Sequence, residues 1–360
     1  MKRCKRCVMP ETVPGITFNK DGICNFCLSY VKEKHLDKEE LERIISSVRK
    51  EDNKYDCIVP LSGGRDSSFV LYMAKEIYNL KVLALNYDNE FRTDSALINM
   101  EKACKILGVD FVSVRSQRDV AQKFVLHSIR FALPLGLLVI SDVMCQACSY
   151  GYLSVVYRAA EKYKVPLIFW GKSRNESTLE MEKLATQDIW KSIGNELDKL
   201  RLLRFLNVNY YKMRYYKLLQ RVEFPVSGNS ILSSSYPILK NKDIKEIYFF
   251  DYIPWDRKKI KETIKRELGW EKPPGHVSSW RIDCKLHRFM NYCYFNLLGC
   301  SKDCFGYCNM INSGQMTRAE ALRQEEEMAV TITENIRELL EDKVFLSNKE
   351  ATKILSFRGK

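Results

Sequence analysis

The most constraining feature of this chain is a short unit in its first third. An apolar run, Asp56 to Leu61, leads into Ser62-Gly63-Gly64-Arg65-Asp66-Ser67-Ser68, and apolar residues then recur at helical spacing in Phe69, Val70, Met73, Ala74 and Ile77. The run is short and bounded by turn residues, so it reads as a buried strand. Two glycines let backbone amides come close to an anion. The N-terminus of the following helix aims further amides, and its dipole, at the same point. Ser62, Ser67 and Ser68 offer hydroxyls, and Asp66 offers a carboxylate to orient the loop or help hold Mg2+. The unit therefore predicts a phosphate-binding turn between a strand and a helix. It lacks the Gly-Lys-Ser/Thr ending and so is not a Walker A sequence.

The surrounding pattern predicts the fold class. Lys81 to Tyr87, Asp110 to Val114 and Pro166 to Trp170 read as further strands; Arg92 to Leu107 and Cys148 to Tyr163 read as helices. Such alternation predicts an α/β architecture, a parallel sheet with helices on both faces. Ligands of open α/β sheets sit at the carboxyl ends of the strands. Those ends add Tyr87, Asp88, Gly171 and Lys172 to the candidate nucleotide-binding residues, with Asn86 and Arg174 beside them. Gly171 is expected to permit close approach of a phosphate. From about Leu179 the alternation stops, and the chain reads as mainly helical and rich in Lys, Arg and Tyr, with one helix expected over Thr317 to Lys343. The expected organisation is a cysteine-rich segment over 1–30, a helical connector over 31–54 (helix from Asp37 to about Glu51), an ATP-binding α/β domain over 55–178, and a mainly helical region over 179–360 that completes the site.

Thirteen cysteines demand an account. The N-terminus shows no secretory signal, and no apolar run reaches bilayer-spanning length; Phe131 to Ile140 is broken by Pro134 and Gly136. A cytoplasmic protein with no membrane partner is expected, where thiols stay reduced and close spacing points to metal. Cys4-x2-Cys7 and Cys24-x2-Cys27 form the paired-knuckle pattern of a zinc ribbon, whose filled tetrahedron implies a structural Zn2+. Cys145 and Cys148 form a second pair, with Cys284 as a candidate third ligand. Three thiolates suit a [4Fe-4S] cluster with one open iron, and a second zinc site or a redox pair are the other readings. Cys300, Cys304 and Cys308, with Cys293 nearby, are spaced to share one helix face, yet Gly299 and Gly306 argue against a regular helix; surface or core thiols are expected. Cys57 and Cys104 lie in apolar patterns and are expected in the core. The net charge of +13 favours a polyanionic partner: nucleotide, nucleotide-linked substrate or nucleic acid.

The strand followed by Ser-Gly-Gly-x-Asp-Ser resembles the PP-loop ATPases. Within them the chain resembles the N-acetyl sugar amidotransferases, through Cys4-Lys5-Arg6-Cys7-Val8-Met9-Pro10-Glu11-Thr12, Gly22-Ile23-Cys24-Asn25-Phe26-Cys27, Asp56 to Gly64, Cys145-x2-Cys148, Pro166 to Gly171, Arg281-Ile282-Asp283-Cys284 and Ser313 to Arg318. The resemblance implies adenylation of an acetamide oxygen by ATP, with release of pyrophosphate, then displacement of AMP by ammonia to give an acetamidino sugar for a surface polysaccharide or nonulosonate. It implies ATP held by Leu61, Ser62, Gly63, Gly64, Arg65, Asp66, Ser67 and Ser68, with Asp66 and Ser67 at the chemical centre. It also implies a nucleotide-linked or free N-acetyl sugar as substrate and a separate glutaminase as ammonia source; no Cys-His-Glu glutaminase set is legible in the chain. The position of the Cys145–Cys148 pair resembles that in cluster-binding members of the superfamily. Two departures stand out: Arg65 replaces the lysine of many relatives, and the Cys300/Cys304/Cys308 group is not a family feature. The alternatives are a PP-loop tRNA sulfurtransferase with a [4Fe-4S] cluster, whose basic stretches at 201–221 and 258–261 would meet tRNA, and a non-catalytic zinc-ribbon module that binds nucleic acid.

Overall fold

The computed structural model describes residues 1–32, 34–115, 120–133, 137–173, 244–274, 278–279, 281–333 and 336–356. Five strands, β1 (Cys57–Pro60), β2 (Val82–Asp88), β3 (Asp110–Arg115), β4 (Leu167–Trp170) and β5 (Lys245–Tyr248), form one parallel sheet in the order β3-β2-β1-β4-β5. The order reverses at β1, whose neighbours are β2 on one side and β4 on the other. That reversal opens a crevice at the carboxyl ends of β1 and β4, where doubly wound sheets take their ligands.

The strands are apolar throughout because both faces are covered, and their period of two divides the residues between two cores. Cys57, Val59, Val82, Ala84, Leu167 and Phe169 face one core, with α3 (Arg65–Tyr72) and α4 (Asp94–Leu107). Ile58, Leu83, Leu85, Tyr87, Ile168 and Trp170 face the other, with α5 (Val120–Ala132) and α6 (Leu137–Tyr163). Local chemistry sets the helix ends. The Thr93 side chain accepts from the Ala96 amide to begin α4, and Gly108 at φ +59° ends it. Asp37 accepts from the Glu39 amide to begin α2 (Lys38–Val48), which coincides with the expected charged helix.

The cysteine-rich N-terminus, with the short α1 (Asn25–Ser29), is not a separate lobe. Cys4, Cys7, Cys24 and Cys27 share a core cluster with the first sheet face and with the C-terminal helices. Those helices are α7 (Phe249–Tyr252), α8 (Arg257–Leu268), α9 (Leu286–Leu298), α10 (Asp303–Asn312), α11 (Arg318–Thr331), α12 (Ile336–Glu338) with a π-helical turn (Leu339–Lys343), and α13 (Asn348–Leu355). The Arg318 Nε donates to the carbonyls of Cys4 (3.1 Å) and Cys7 (2.9 Å), fastening the first knuckle to α11.

Helix α5 and the first half of α6, from Leu137, were not expected, and three further features depart from the sequence reading. The sheet reaches beyond residue 178, because β5 pairs with β4 through Leu167–Lys245 to Trp170–Tyr248. The helix expected over Thr317 to Lys343 is two pieces, α11 and the 336–343 segment, parted where Val330-Thr331-Ile332-Thr333 places β-branched residues in a row. Helix α10 forms in spite of Gly306, and Gly299 at φ +65° caps α9 before it, so Cys300, Cys304 and Cys308 are buried core thiols. Cys57 and Cys104 are buried as expected. Arg174 and the basic stretch 201–221 lie outside the described residues. No helix among the described residues is long and apolar enough to cross a membrane.

Candidate functional site

The glycine loop lies at the reversal in strand order. Leu61 leaves β1 still tied to the sheet, its amide donating to the Leu85 carbonyl at 2.8 Å. The loop is then braced from within. The Ser62 amide donates to the Ser67 Oγ and the Gly64 amide to the Ser62 Oγ, each at 3.2 Å. The Ser68 hydroxyl donates to the Gly64 carbonyl at 2.8 Å. Gly64 precedes α3 in an extended conformation, and no side chain caps the helix. Its first-turn amides therefore point out of the loop at the crevice, which is the arrangement an anion uses.

Both glycines flanking this turn are required, though for packing within the protein. Gly63 sits at φ +79°, and a Cβ there would fall 2.2 Å from the Ala96 carbonyl oxygen. Gly171, just past β4, has an ordinary backbone, but its Cβ would fall 3.1 Å from both the amide nitrogen and the Cα of Ser67. The close approach expected of Gly171 is thus to the start of α3, which it holds in position. Lys172 beside it is exposed.

Arg65 and Asp66 are also turned to the protein. The Arg65 guanidinium is 3% exposed, donates to Asp66 through Nε at 2.9 Å, reaches the Ser279 hydroxyl at 3.2 Å and lies over the Trp255 ring at 5.0 Å. The Trp255 indole donates to the same carboxylate at 3.2 Å. Asp66 is thereby fixed by a charge-assisted pair and an indole. At the end of β2, Asn86 is the residue that touches the loop, donating from Nδ2 to the Leu61 carbonyl at 2.8 Å and accepting from Arg92. Tyr87, next along, points to the opposite face and is buried. Asp88 pairs with Arg92 (3.3 Å) and Arg115 (3.6 Å).

Two residues that hold the loop from far along the chain, Trp255 and Trp270, were not identified from sequence. Trp270 donates to the Gly63 carbonyl at 3.0 Å, and Trp255 holds Asp66. The Arg281–Cys284 stretch also reaches the loop. The Asp283 carboxyl carbon lies 4.0 Å from where a Gly64 Cβ would be, and Cys284 forms a β-bridge with Arg92. The only sequence signal for the tryptophans was their place at helix boundaries, Trp255 before the Asp256 cap and Trp270 after Gly269.

The N-terminal thiols form a compact group. The Sγ atoms of Cys4 and Cys27 are 3.9 Å apart, those of Cys7 and Cys24 3.7 Å, and all four lie within 4.8 Å of one another in a buried setting. A metal–sulfur bond of about 2.3 Å sets the edge of a thiolate tetrahedron at about 3.8 Å. The four donors therefore fit a single tetrahedral ion. The hydrogen bond with Cys24 first, then one with Cys308 and burial, hold the Cys7 thiol far above its ordinary range against a pull from Cys27, a penalty that a dication at the centre reverses. The Asn312 amide donates to the Cys27 sulfur at 3.3 Å from outside the tetrahedron.

The second thiol set is gathered more loosely. Cys145 and Cys148 lie one turn apart within α6, rather than ahead of a helix. The Cys148 sulfur accepts from the Asn89 amide at 3.4 Å, and the Cys145 sulfur is 3.3 Å from that of Met290. Desolvation pushes Cys148 up to about 12, against the pull of Asn89, and Cys145 adds to the rise. Burial likewise raises Cys284, with Cys148 the next cause. The three thus sense one another beside the β2 loop. Among the described residues, however, only the N-terminal set brings three or more ligand atoms within 4.8 Å of one another.

No family model matches the chain. An uncharacterized protein of Methanocaldococcus jannaschii, MJ1599, is 30% identical over 175 residues, 47% of this chain and 58% of that protein. The chain thus spans less than two thirds of this relative. Two solved structures bear a distant likeness. One is the U34-tRNA thiolase NcsA from Methanococcus maripaludis with its [4Fe-4S] cluster, with 14% identity, a TM-score of 0.37, and 93% of this chain and 89% of that chain covered. The other is NMN synthetase from Francisella tularensis, with 11% identity, a TM-score of 0.27, and 54% and 99% covered.

Proposed function

We propose that this chain is a PP-loop ATP-pyrophosphatase that adenylates the acetamide oxygen of an N-acetyl sugar and exchanges that oxygen for nitrogen. The observation that carries this reading is the Ser62–Ser68 turn, braced by its own hydroxyls and opening the uncapped N-terminus of α3 at the reversal in strand order. Amides there would hold the pyrophosphate portion of ATP, and they stabilise charge gathering on phosphate oxygens as the acetamide oxygen attacks the α-phosphorus. The carboxylate of Asp66 would supply a ligand to Mg2+ while Arg65 and Trp255 keep it in place.

The chemistry needs this activation because an amide oxygen is a poor leaving group. Once adenylated, the acetamide carbon accepts ammonia; the C–O bond breaks, AMP leaves with its electron pair, and an amidine remains. The ammonia source in this reading is a separate glutaminase subunit. The N-terminal thiols would hold Zn2+, which their 3.7 and 3.9 Å spacings suit. In this reading Cys145, Cys148 and Cys284 would hold a [4Fe-4S] cluster, for which three thiolates with one open iron suffice.

The test is product analysis with ATP, ammonium and a panel of N-acetyl sugars. Equimolar AMP and pyrophosphate, with a sugar product about one mass unit lighter, are expected. Release of ADP and phosphate, or no AMP with any sugar, would sink the proposal. A thiolated nucleoside formed from tRNA and a sulfur donor would move the assignment to a sulfurtransferase, the reading that shares the loop and the wider thiol set.

A further inference from the structure

Helix α8 is fastened to the phosphate loop from both ends. Trp255, just before it, donates to Asp66 at 3.2 Å, and Trp270, just after it, donates to the Gly63 carbonyl at 3.0 Å. Ile260, Ile264 and Leu268 seat the helix in the same core as Phe69, Val70 and Leu71 of α3. The chain beyond α8 continues around the loop, with the Ser279 hydroxyl 3.2 Å from the Arg65 guanidinium and the Asp283 carboxyl group facing Gly64.

On this helix Arg257, Lys261 and Lys265 recur every fourth residue and so form one cationic stripe. Like charges at that spacing weaken a helix, so the stripe is there at some expense of stability. Arg257 is engaged by Glu320, and Arg65 by Asp66. Lys261 is different. It is half-buried, and among the described residues it has no hydrogen bond or ion pair. Burial first, and then the charges of Lys265, Arg257, Lys272 and Arg65, hold its ammonium below the usual lysine range. Arg65 belongs to the loop itself, so this positive field reaches the start of α3. A multiply charged anion at that point would relieve both the burial of the ammonium and the repulsion among the cations.

We propose that Lys261 is a catalytic residue that binds the pyrophosphate leaving group, together with the amides at the start of α3. The inference rests on the adenylating reading above, which gave the pyrophosphate to the loop alone, and adds to it a side chain from a distant helix. As the acetamide oxygen bonds to the α-phosphorus, the bond from that phosphorus to the bridging oxygen breaks. Its electron pair leaves on pyrophosphate, and the amide proton passes to solvent. An ammonium beside the departing phosphates offsets the charge as it gathers there. Lysine suits the task because it presents a point charge with three donors.

Titration of the full-length protein with magnesium pyrophosphate and, separately, with AMP tests it. Lys261→Gln should weaken pyrophosphate binding about 10- to 100-fold, the worth of one hydrogen bond to a charged group, and leave AMP binding unchanged. Lys261→Arg keeps the charge and should restore most of the affinity. Lys259→Gln makes the same change of charge on the opposite side of the helix, where Lys259 is exposed, and should leave pyrophosphate binding unchanged. Because Lys261→Gln removes like-charge repulsion, it should unfold at the wild-type temperature or above, so a loss of binding is not a loss of fold. Four results overturn the proposal: no pyrophosphate binding by the wild type, equal affinity in Lys261→Gln, a parallel loss of AMP binding, or an equal loss in Lys259→Gln. Binding is read without turnover, so a Lys261-dependent pyrophosphate site in a protein that forms no AMP would overturn the adenylation reading alone. AMP formation whose inhibition by pyrophosphate is indifferent to Lys261 would overturn only the role of this lysine.

Discussion

Replacing Gly171 by alanine inserts one methyl group between the end of β4 and the start of α3. Its Cβ would lie 3.1 Å from the Ser67 nitrogen, 3.1 Å from the Ser67 Cα and 3.3 Å from the Asp66 carbonyl carbon. Ordinary carbon contacts need about 3.5–4.0 Å, so the two backbones must part by about 0.5 Å. Overpacking of this kind costs about 1–3 kcal/mol. The backbone conformation at Gly171 suits alanine, so a less flexible unfolded chain offsets about 0.4–1 kcal/mol of that. A net loss of about 1–2 kcal/mol is expected, well short of unfolding. The effect on function should be larger, because the displaced atoms are the amides proposed to face phosphate, and a misplacement of about 1 Å costs about 100-fold in rate. The variant should unfold at a slightly lower urea concentration, while kcat/KM for AMP formation falls about 10- to 100-fold. Full turnover alongside the expected stability loss would show that the start of α3 does not hold the phosphates. Unchanged stability would show that the close approach of β4 and α3 is not fixed.

Asp66→Ala should cost about 3 kcal/mol, since it leaves the buried Arg65 guanidinium without its carboxylate; Asp66→Asn should retain more stability, and both should lose most AMP formation, as thermal unfolding and product assays will show. The double variant Cys4→Ser/Cys24→Ser should lose about one zinc per chain by metal analysis. It should also loosen α10 and α11 in hydrogen exchange, because the thiols share one core with those helices. Glu325 sits 3% exposed, accepting from the Ser301 amide at 3.0 Å, and burial raises its carboxyl to about 8. Below about 4.3 both folded and unfolded forms are protonated, whereas between that value and about 8 only the unfolded chain ionises, so stability falls as pH rises through this window. Urea titrations of Glu325→Gln should show that slope flattened, and an unchanged slope would exclude Glu325 as its source.

Much of this molecule was legible in local pattern. Four strands, α3, α4, the second half of α6 and the turn at Ser62–Ser68 follow from runs of apolar residues and two glycines, since strand, helix and tight turn each need only neighbouring residues; α5 and the first half of α6 were not read. The paired knuckles were legible for the same reason: a Cys-x2-Cys turn brings two sulfurs together within four residues. The fifth strand was not, because Lys245-Glu246-Ile247-Tyr248 is a polar edge strand whose pairing with β4 depends on the sheet already being there.

The site divides along the same line. The sequence by itself determined which residues form the turn between β1 and α3. Only the tertiary structure decided what each side chain does there: Gly171 presses on Ser67, Arg65 turns inward to Asp66 and Trp255, and Asn86, not Tyr87 or Asp88, reaches the loop. It alone set the two thiol groups at different spacings, and it alone brought Trp255, Trp270 and Asp283 to a turn about 190 to 220 residues earlier in the chain. The physical reason is that hydrogen bonds and packing across such separations depend on how the sheet is ordered and on which face each helix covers, and no periodicity in a single stretch of chain encodes that choice.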